Sequence, residues 1–245
     1  MRWIGAKTAR RLGRQLRSRV QPGPIILGYH QVADAPWDPL NLCVSPSNFA
    51  EQLQVLNQRA RVVPLLELVD QLTRGEAARG TVAVTFDDGY QDTHTAALPV
   101  LSQLRTPASV FVTTGCIGKS FWWSEVQHLV GNLDRLPESI SLRASDREFR
   151  WSGKLHNVGA RTDVVRALSD FFRTLPWQEH SQALQNLECE LNAEMPKQGA
   201  AISAEQITTL ASSELIDVGS HTVSHTSLNQ LEASTQRWDC LLYTS

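Results

Sequence analysis

From residue 25 onward the chain alternates short apolar runs with stretches in which apolar residues recur every three or four positions. The first pattern predicts strands and the second amphipathic helices. Ile25-Ile26-Leu27 reads as a short buried strand that ends at Gly28-Tyr29-His30. A helix is expected from about Pro46, with Phe49, Leu53 and Leu56 on its apolar side and Ser45 or Ser47 as N-cap. Val62-Val63 makes a minor strand, and residues 65–72 a short helix closed by Gly75. Thr81–Phe86 is apolar and β-branched throughout and reads as a core strand. A helix around 95–104 and a strand at Ala108–Val112 complete a βαβ pattern, which implies a mostly parallel sheet or barrel.

From Lys119 to about Gly199 that rhythm breaks. Ile140, Leu142, Phe149 and Trp151 suggest a hairpin, while 164–175 and 183–191 have helical spacing, so this stretch is expected to be an insertion between two sheet strands. Ser203-Ala204-Glu205-Gln206 resembles a capping box opening a helix to about Leu210. A further strand at 215–218 then delivers Gly219-Ser220-His221.

Composition and charge refine the picture at the ends of the chain. The 245 residues are 42% hydrophobic and 20% charged, which is globular. The net charge of −2 gives no overall reason to expect a nucleic-acid partner. Residues 1–33, however, hold seven basic residues and no acidic one. Ile4, Ala9, Leu12, Leu16 and Val20 lie near helical spacing there, so 1–22 is expected to be a basic leader helix ended by Pro22 and Pro24. Such a helix is either solvated and weakly packed on the domain, or it makes peripheral contact with an anionic membrane or a phosphate-bearing partner. No apolar stretch approaches the roughly 18–20 residues that span a bilayer, and the leader lacks the apolar centre of a secretory signal. A cytoplasmic location is therefore expected, with the inner face of the membrane as a variant of it. Cys43, Cys116, Cys189 and Cys240 are isolated from one another, as expected of reduced thiols.

Two constellations carry chemistry. Thr85-Phe86-Asp87-Asp88-Gly89-Tyr90 places adjacent carboxylates directly after an apolar strand. Such a pair is costly unless it is solvated, metal-bound or catalytic. One acid can ligate a cation while the other faces a bound water. His221-Thr222-Val223-Ser224-His225 also follows a strand, and imidazoles four residues apart can converge on one metal if the turn is helical. Alone, the first is also a common turn and the second an ordinary histidine pair. Together they sit where strands of one parallel sheet end, the face at which open sheets and barrels build active sites. One aspartate and two histidines leave coordination positions open, as in catalytic metal sites.

These residues resemble the NodB-homology polysaccharide deacetylases, carbohydrate esterase family four. TFDDGY is similar to that family's first motif and HTVSH to its second, His-Ser/Thr-x-x-His; the resemblance covers roughly residues 25–235. It implies an α/β, (β/α) barrel-like fold, incomplete here and carrying the helical and hairpin insertion. It further implies that Asp87 is the general base and that Asp88, His221 and His225 hold a divalent cation, usually zinc. The activity implied is metal-dependent removal of N-acetyl groups from an N-acetylated sugar in a polysaccharide, oligosaccharide or glycolipid precursor. The chemistry of amide hydrolysis asks for the same roles. A metal lowers the pKa of bound water to about 7, a base takes its proton, and the departing amine must be protonated by an acid near neutral pKa. Many relatives supply that acid from a late leucine-x-histidine motif, which is missing after His225. In the branch resembling poly-N-acetylglucosamine deacetylases the acid follows the first strand, where His30 stands 57 residues before Asp87. A capping role for Tyr29-His30 is the other reading. Two further functions stay open: a deacylase of a non-sugar amide or imide, and a non-catalytic carbohydrate-binding relative.

Phe121-Trp122-Trp123 is either a sugar-stacking platform or the core anchor of the insertion, and the second is expected. His94, His128, His156 and His180 lack paired spacing and are expected to be surface or structural. The chain departs from the family after His225, where only 20 residues remain and the arginine-proline-aromatic segment is missing. Cys240-Leu241-Leu242-Tyr243-Thr244-Ser245 is what TGT CTC TTA TAC ACA TCT encodes, the end of a transposase sequencing adapter. The expectation is a deacetylase domain at 23–239, cut near Asp239, followed by an adapter-derived tail at 240–245. A barrel lacking its last strands leaves an unpaired edge, so the chain as written is expected to be poorly soluble or inactive.

Overall fold

A computed structural model describes residues 23–135, 137–144, 146–152, 158–196 and 199–240. The expected leader helix, His156 and the residues after Cys240 lie outside them. β1 (Ile25–Tyr29), β5 (Thr81–Phe86), β6 (Ala108–Val112) and β9 (Ile216–Ser220) form one parallel sheet in the order β1-β5-β6-β9. The short β4 (Arg61–Val62) joins the other edge of β5, so that Val82 faces Ile25 on one side and Val62 on the other. The chain is thus mixed α/β with a parallel central sheet. Among the described residues the sheet does not close into a barrel, since β1 and β9 each have one strand neighbour.

All six residues of β5 are buried, as its unbroken apolar and β-branched run requires. The expectation of burial fails for Ile25-Ile26-Leu27. β1 is an edge strand, and Ile25 and Ile26 are 44% and 52% exposed. β2 (Gln31–Val32) and β3 (Cys43–Val44) pair in parallel and were not legible as strands, because two residues carry no period.

α1 (Pro46–Arg59) starts at Ser45, whose side chain accepts the Asn48 N–H, and it buries Phe49 and Leu53. α2 (Leu65–Thr73) buries Leu68. The helix expected around 95–104 opens as a wide π turn, Thr93–Ala97, before α3 (Leu98–Leu104). α7, defined by its capping box, covers Ala204–Ala211, with Ser203 and Gln206 exchanging side chain and backbone bonds. Phe49, Leu53, Phe86, Leu101, Val110, Ile202, Leu210 and Ile216 fill the core between these helices and the sheet.

A second core belongs to the insertion. α4 (Trp122–Gly131), the antiparallel hairpin β7 (Ser139–Ala144) and β8 (Arg147–Ser152), α5 (Val158–Phe172) and α6 (Trp177–Leu191) close around Trp122, Val126, Ile140, Leu142, Leu168, Phe172 and Leu187. Both helices begin earlier than their apolar spacing suggests, α6 directly after Pro176. The ends of the segment meet, with the Ala201 N–H donating to the Lys119 carbonyl at 3.2 Å. The chain then runs beside the aspartate segment, where Ile202 N–H donates to Gly89 O at 2.9 Å. A final helix, α8 (Ala233–Cys240), follows the histidine segment. All four cysteines are free thiols. No helix among the described residues is long and apolar enough to cross a membrane.

Candidate active site

The C-terminal ends of β5 and β9 flank that of β6, and this adjacency brings the two motifs together. β5 hands the chain to Asp87, whose N–H donates to Tyr29 O at 2.9 Å. Asp88 then takes a left-handed conformation with φ of 71°, tolerated by aspartate at some cost, and its carbonyl accepts the Thr113 N–H. Gly89 follows at φ 81°, where a Cβ would sit 3.0 Å from Val112 Cγ1, so both conformation and space require glycine. On the other side His221 N–H donates to Val112 O at 2.8 Å. The turn is not the helical one expected: Thr222 and His225 both adopt left-handed conformations, with φ of 63° and 56°, and the histidines converge through that irregular loop. The Thr222 hydroxyl accepts the His225 N–H at 2.9 Å. A β-branched threonine at positive φ costs on the order of 1–3 kcal/mol, and such strain concentrates at functional sites.

The result is convergence. Asp88 Oδ1 lies 3.5 Å from His221 Nε2 and 3.2 Å from His225 Nε2. Ligating atoms of all three residues fall within 4.8 Å of one another. No other such group of three lies together among the described residues. The Asp88 side chain is only 3% exposed, while the histidine side chains are 32% and 29% exposed, so the cluster has a buried floor and an open mouth. Asp88 Oδ1 is buried and accepts no hydrogen bond among the described residues. A tetrahedral ion with bonds of roughly 2.0–2.1 Å keeps its ligand atoms roughly 3.3 Å apart, and the two separations straddle that value. Burial, and next the neighbouring His225, push the His221 imidazole below its ordinary pKa against the opposing pull of Asp88 and Asp87. A neutral imidazole is the form that ligates metal. The donor set therefore fits a divalent cation.

Asp87 is half-buried beside the cluster. Its Oδ2 lies 4.0 Å from where a Cβ on Gly28 would stand, which places the carboxylate beside β1. His30 follows β1 and is close enough for its charge to lower the His221 pKa. Asp87, Asp88, His30, His221 and His225 thus all lie at one end of the sheet.

Further residues support the cluster without having been legible as part of it. The Trp123 ring lies under His225 with centroids 4.5 Å apart, and its indole N–H donates to the Tyr90 hydroxyl at 2.6 Å. Phe121 stacks on Trp123 at 4.6 Å. All three aromatics of 121–123 are buried, so they form a core anchor and not an open platform. Asp92 accepts the Val32 N–H at 3.1 Å, tying the segment after Asp87 to the one after His30. Desolvation pushes the Asp92 carboxyl up to about 6. His180 is buried and donates to Phe172 O at 3.0 Å, and burial lowers its pKa. His128 bonds Asn132, and His94 is half-buried.

The polysaccharide deacetylase family model matches residues 74–134. That segment contains Asp87 and Asp88 and stops short of His221. Among solved structures the chain is similar to IcaB from Ammonifex degensii, at 30% identity over 44% of this chain and 48% of that one, with a TM-score of 0.37. It is also similar to the Streptococcus pyogenes deacetylase PplD, solved with acetate, at 18% identity over 89% and 65%, with a TM-score of 0.44. A polysaccharide deacetylase from Bacillus cereus aligns at 17% identity over 87% and 43%, with a TM-score of 0.45. The chain spans about half the length of the first of these structures. No curated protein sequence matches it.

Proposed function

We propose that this chain, whose residues 74–134 match the polysaccharide deacetylase model, is a member of that family and a metal-dependent hydrolase that removes acetyl groups from N-acetylated sugars of a glycan or glycolipid. The observation that carries the reading is the convergence of Asp88, His221 and His225 on one point beside Asp87, because the histidines lie outside the matched segment and were brought there by the fold.

In this reading Asp88, His221 and His225 hold a divalent cation such as zinc. What such an ion supplies is Lewis acidity, which makes water a nucleophile near neutral pH and polarises the acetamide carbonyl. Asp87 accepts a proton from the attacking water as the hydroxyl oxygen bonds to the carbonyl carbon. When the carbon–nitrogen bond breaks, the amine nitrogen takes a proton from His30, and acetate leaves with the added oxygen. The lowered pKa of His221 keeps it neutral and so reserves it for ligation. The open mouth on the histidine side leaves room for both the attacking water and a substrate above the buried Asp88.

Acetate release from N-acetylglucosamine oligomers, with and without a chelator, tests the assignment. Release should be lost on chelation and restored by zinc or cobalt. Asp87→Asn should retain the metal and lose about 10²–10⁴-fold in rate, whereas Asp88→Asn should lose the metal itself. Full activity in Asp87→Asn would remove the base from the mechanism. Sugar binding without turnover in wild type would favour a carbohydrate-binding relative.

A further inference from the structure

The segment between the two candidate ligand histidines has to hold an improbable shape. Thr222 and His225 are both left-handed, and Val223 and Ser224 between them are buried at 8% and 9% exposure. On one side the carbonyls of Thr222 and Val223 are satisfied by the chain that follows β6, where Thr114 N–H donates to Thr222 O at 3.1 Å and Gly115 N–H to Val223 O at 2.9 Å. The N–H groups point the other way, and both are taken by a single residue. Val223 N–H donates to the Asp239 carbonyl at 3.0 Å, and Ser224 N–H donates to Asp239 Oδ1 at 2.9 Å. The Ser224 hydroxyl donates to the same Oδ1 at 2.8 Å. Since its one proton goes there, the 2.7 Å contact with Thr226 has the threonine as donor.

Asp239 is an unusual residue for α8 to bury. It is the one buried residue of that helix, 1% exposed, where an apolar side chain would anchor a helix at far lower desolvation cost. That cost is accepted at a position whose carbonyl and Oδ1 both serve one segment, that of the histidines.

We propose that Asp239 is a positioning residue for the metal centre: it clasps Val223 and Ser224 and so fixes the separation and aim of His221 and His225. The proposal rests on the metal reading given above and adds a part to it. Removing the carboxylate leaves the Ser224 N–H and hydroxyl without a buried acceptor, so the turn relaxes and the two imidazoles lose their common focus.

The test uses the full chain, with cobalt as the probe. Asp239→Ala should raise the cobalt Kd tenfold or more and alter the visible absorption of the bound ion. In the metal-free chain it should speed hydrogen exchange at the Val223 and Ser224 amides by a similar factor. Asp239→Asn, whose amide oxygen can accept the same bonds, should stay within threefold of wild type. Trp238→Ala is the control for helix docking, because Trp238 is 44% exposed and stacks on Trp177 at 5.3 Å. It should change neither readout. Wild-type cobalt affinity and exchange in Asp239→Ala, or equal losses in Trp238→Ala, would overturn the proposal. If Asp239→Ala does not fold, Ser224→Ala carries the test, with a three- to tenfold rise in cobalt Kd expected and no rise overturning the clasp. A wild-type chain that takes up no cobalt would instead refute the metal reading, and amide exchange alone would then decide on Asp239.

Discussion

Gly115 offers the sharpest test of how tightly the histidine segment is held. Its N–H donates to Val223 O at 2.9 Å, and a Cβ added there would sit 2.5 Å from that oxygen and 3.1 Å from Val223 Cγ1. Ordinary van der Waals contact begins at 3.4 Å, so Gly115→Ala must push the oxygen away by 0.9 Å, or by 0.5 Å to reach the 3.0 Å below which Cβ contacts essentially do not occur. The obstacle is backbone, not the end of a side chain, and the residue displaced stands midway between His221 and His225. Metal–ligand distances tolerate only about 0.2 Å. The displacement therefore exceeds the tolerance of the ligand set even at its smallest. Overpacking of this kind costs about 1–3 kcal/mol, which lowers Tm by roughly 2–12 °C in a chain of this size. Zinc affinity should fall tenfold or more by calorimetric titration. Gly23→Ala, with nothing among the described residues within 4 Å of the added carbon, is the matched control and should leave both quantities unchanged. Gly115→Ala with wild-type Tm and wild-type zinc affinity would refute the argument that this contact shapes the site.

Other expectations follow from neighbouring residues. Asp92 has a folded pKa of about 6 against an ordinary 3.8, so the native state holds a proton that the unfolded chain gives up. Its stabilisation is complete below about pH 4 and lost as pH rises through 6, so Asp92→Asn should gain on wild type across that window by up to about 3 kcal/mol in urea titrations. A difference that stays flat with pH would contradict this. Trp123→Phe keeps the ring under His225 but removes the 2.6 Å bond to Tyr90, and should cost about 1–2 kcal/mol with zinc affinity within threefold. Trp123→Ala should cost about 3–5 kcal/mol and weaken zinc binding as well. Phe172→Ala, in the insertion core but stacked on Trp122 at 5.6 Å and not on a ligand histidine, should cost a similar amount with zinc affinity within threefold, and a larger loss of affinity would contradict this.

Much of this arrangement was legible because its signals are local. The run Thr81–Phe86 announces a buried strand, Ser203 and Gln206 announce a helix start, and Asp87-Asp88 and His221-x-x-x-His225 advertise their chemistry through residue type and spacing. What was not legible depends on tertiary neighbours. The exposure of Ile25 and Ile26 follows from β1 lying at an edge, which an apolar run does not reveal. Trp123 reads as core in any sequence, and only the fold places His225 against it. Asp239 has no motif at all: an aspartate in a polar helix resembles a solvated one until its hydrogen bonds to Ser224 are seen.

The central claim is that two distant motifs form one cation site. Calorimetric titration of chelator-stripped chain with zinc tests it most directly, comparing wild type with His221→Ala, His225→Ala and Asp88→Ala. One zinc per chain in wild type, with loss of that site in each of the three variants, is the result predicted. Undiminished zinc binding in any of them, or no binding by a folded wild-type chain, would contradict the account.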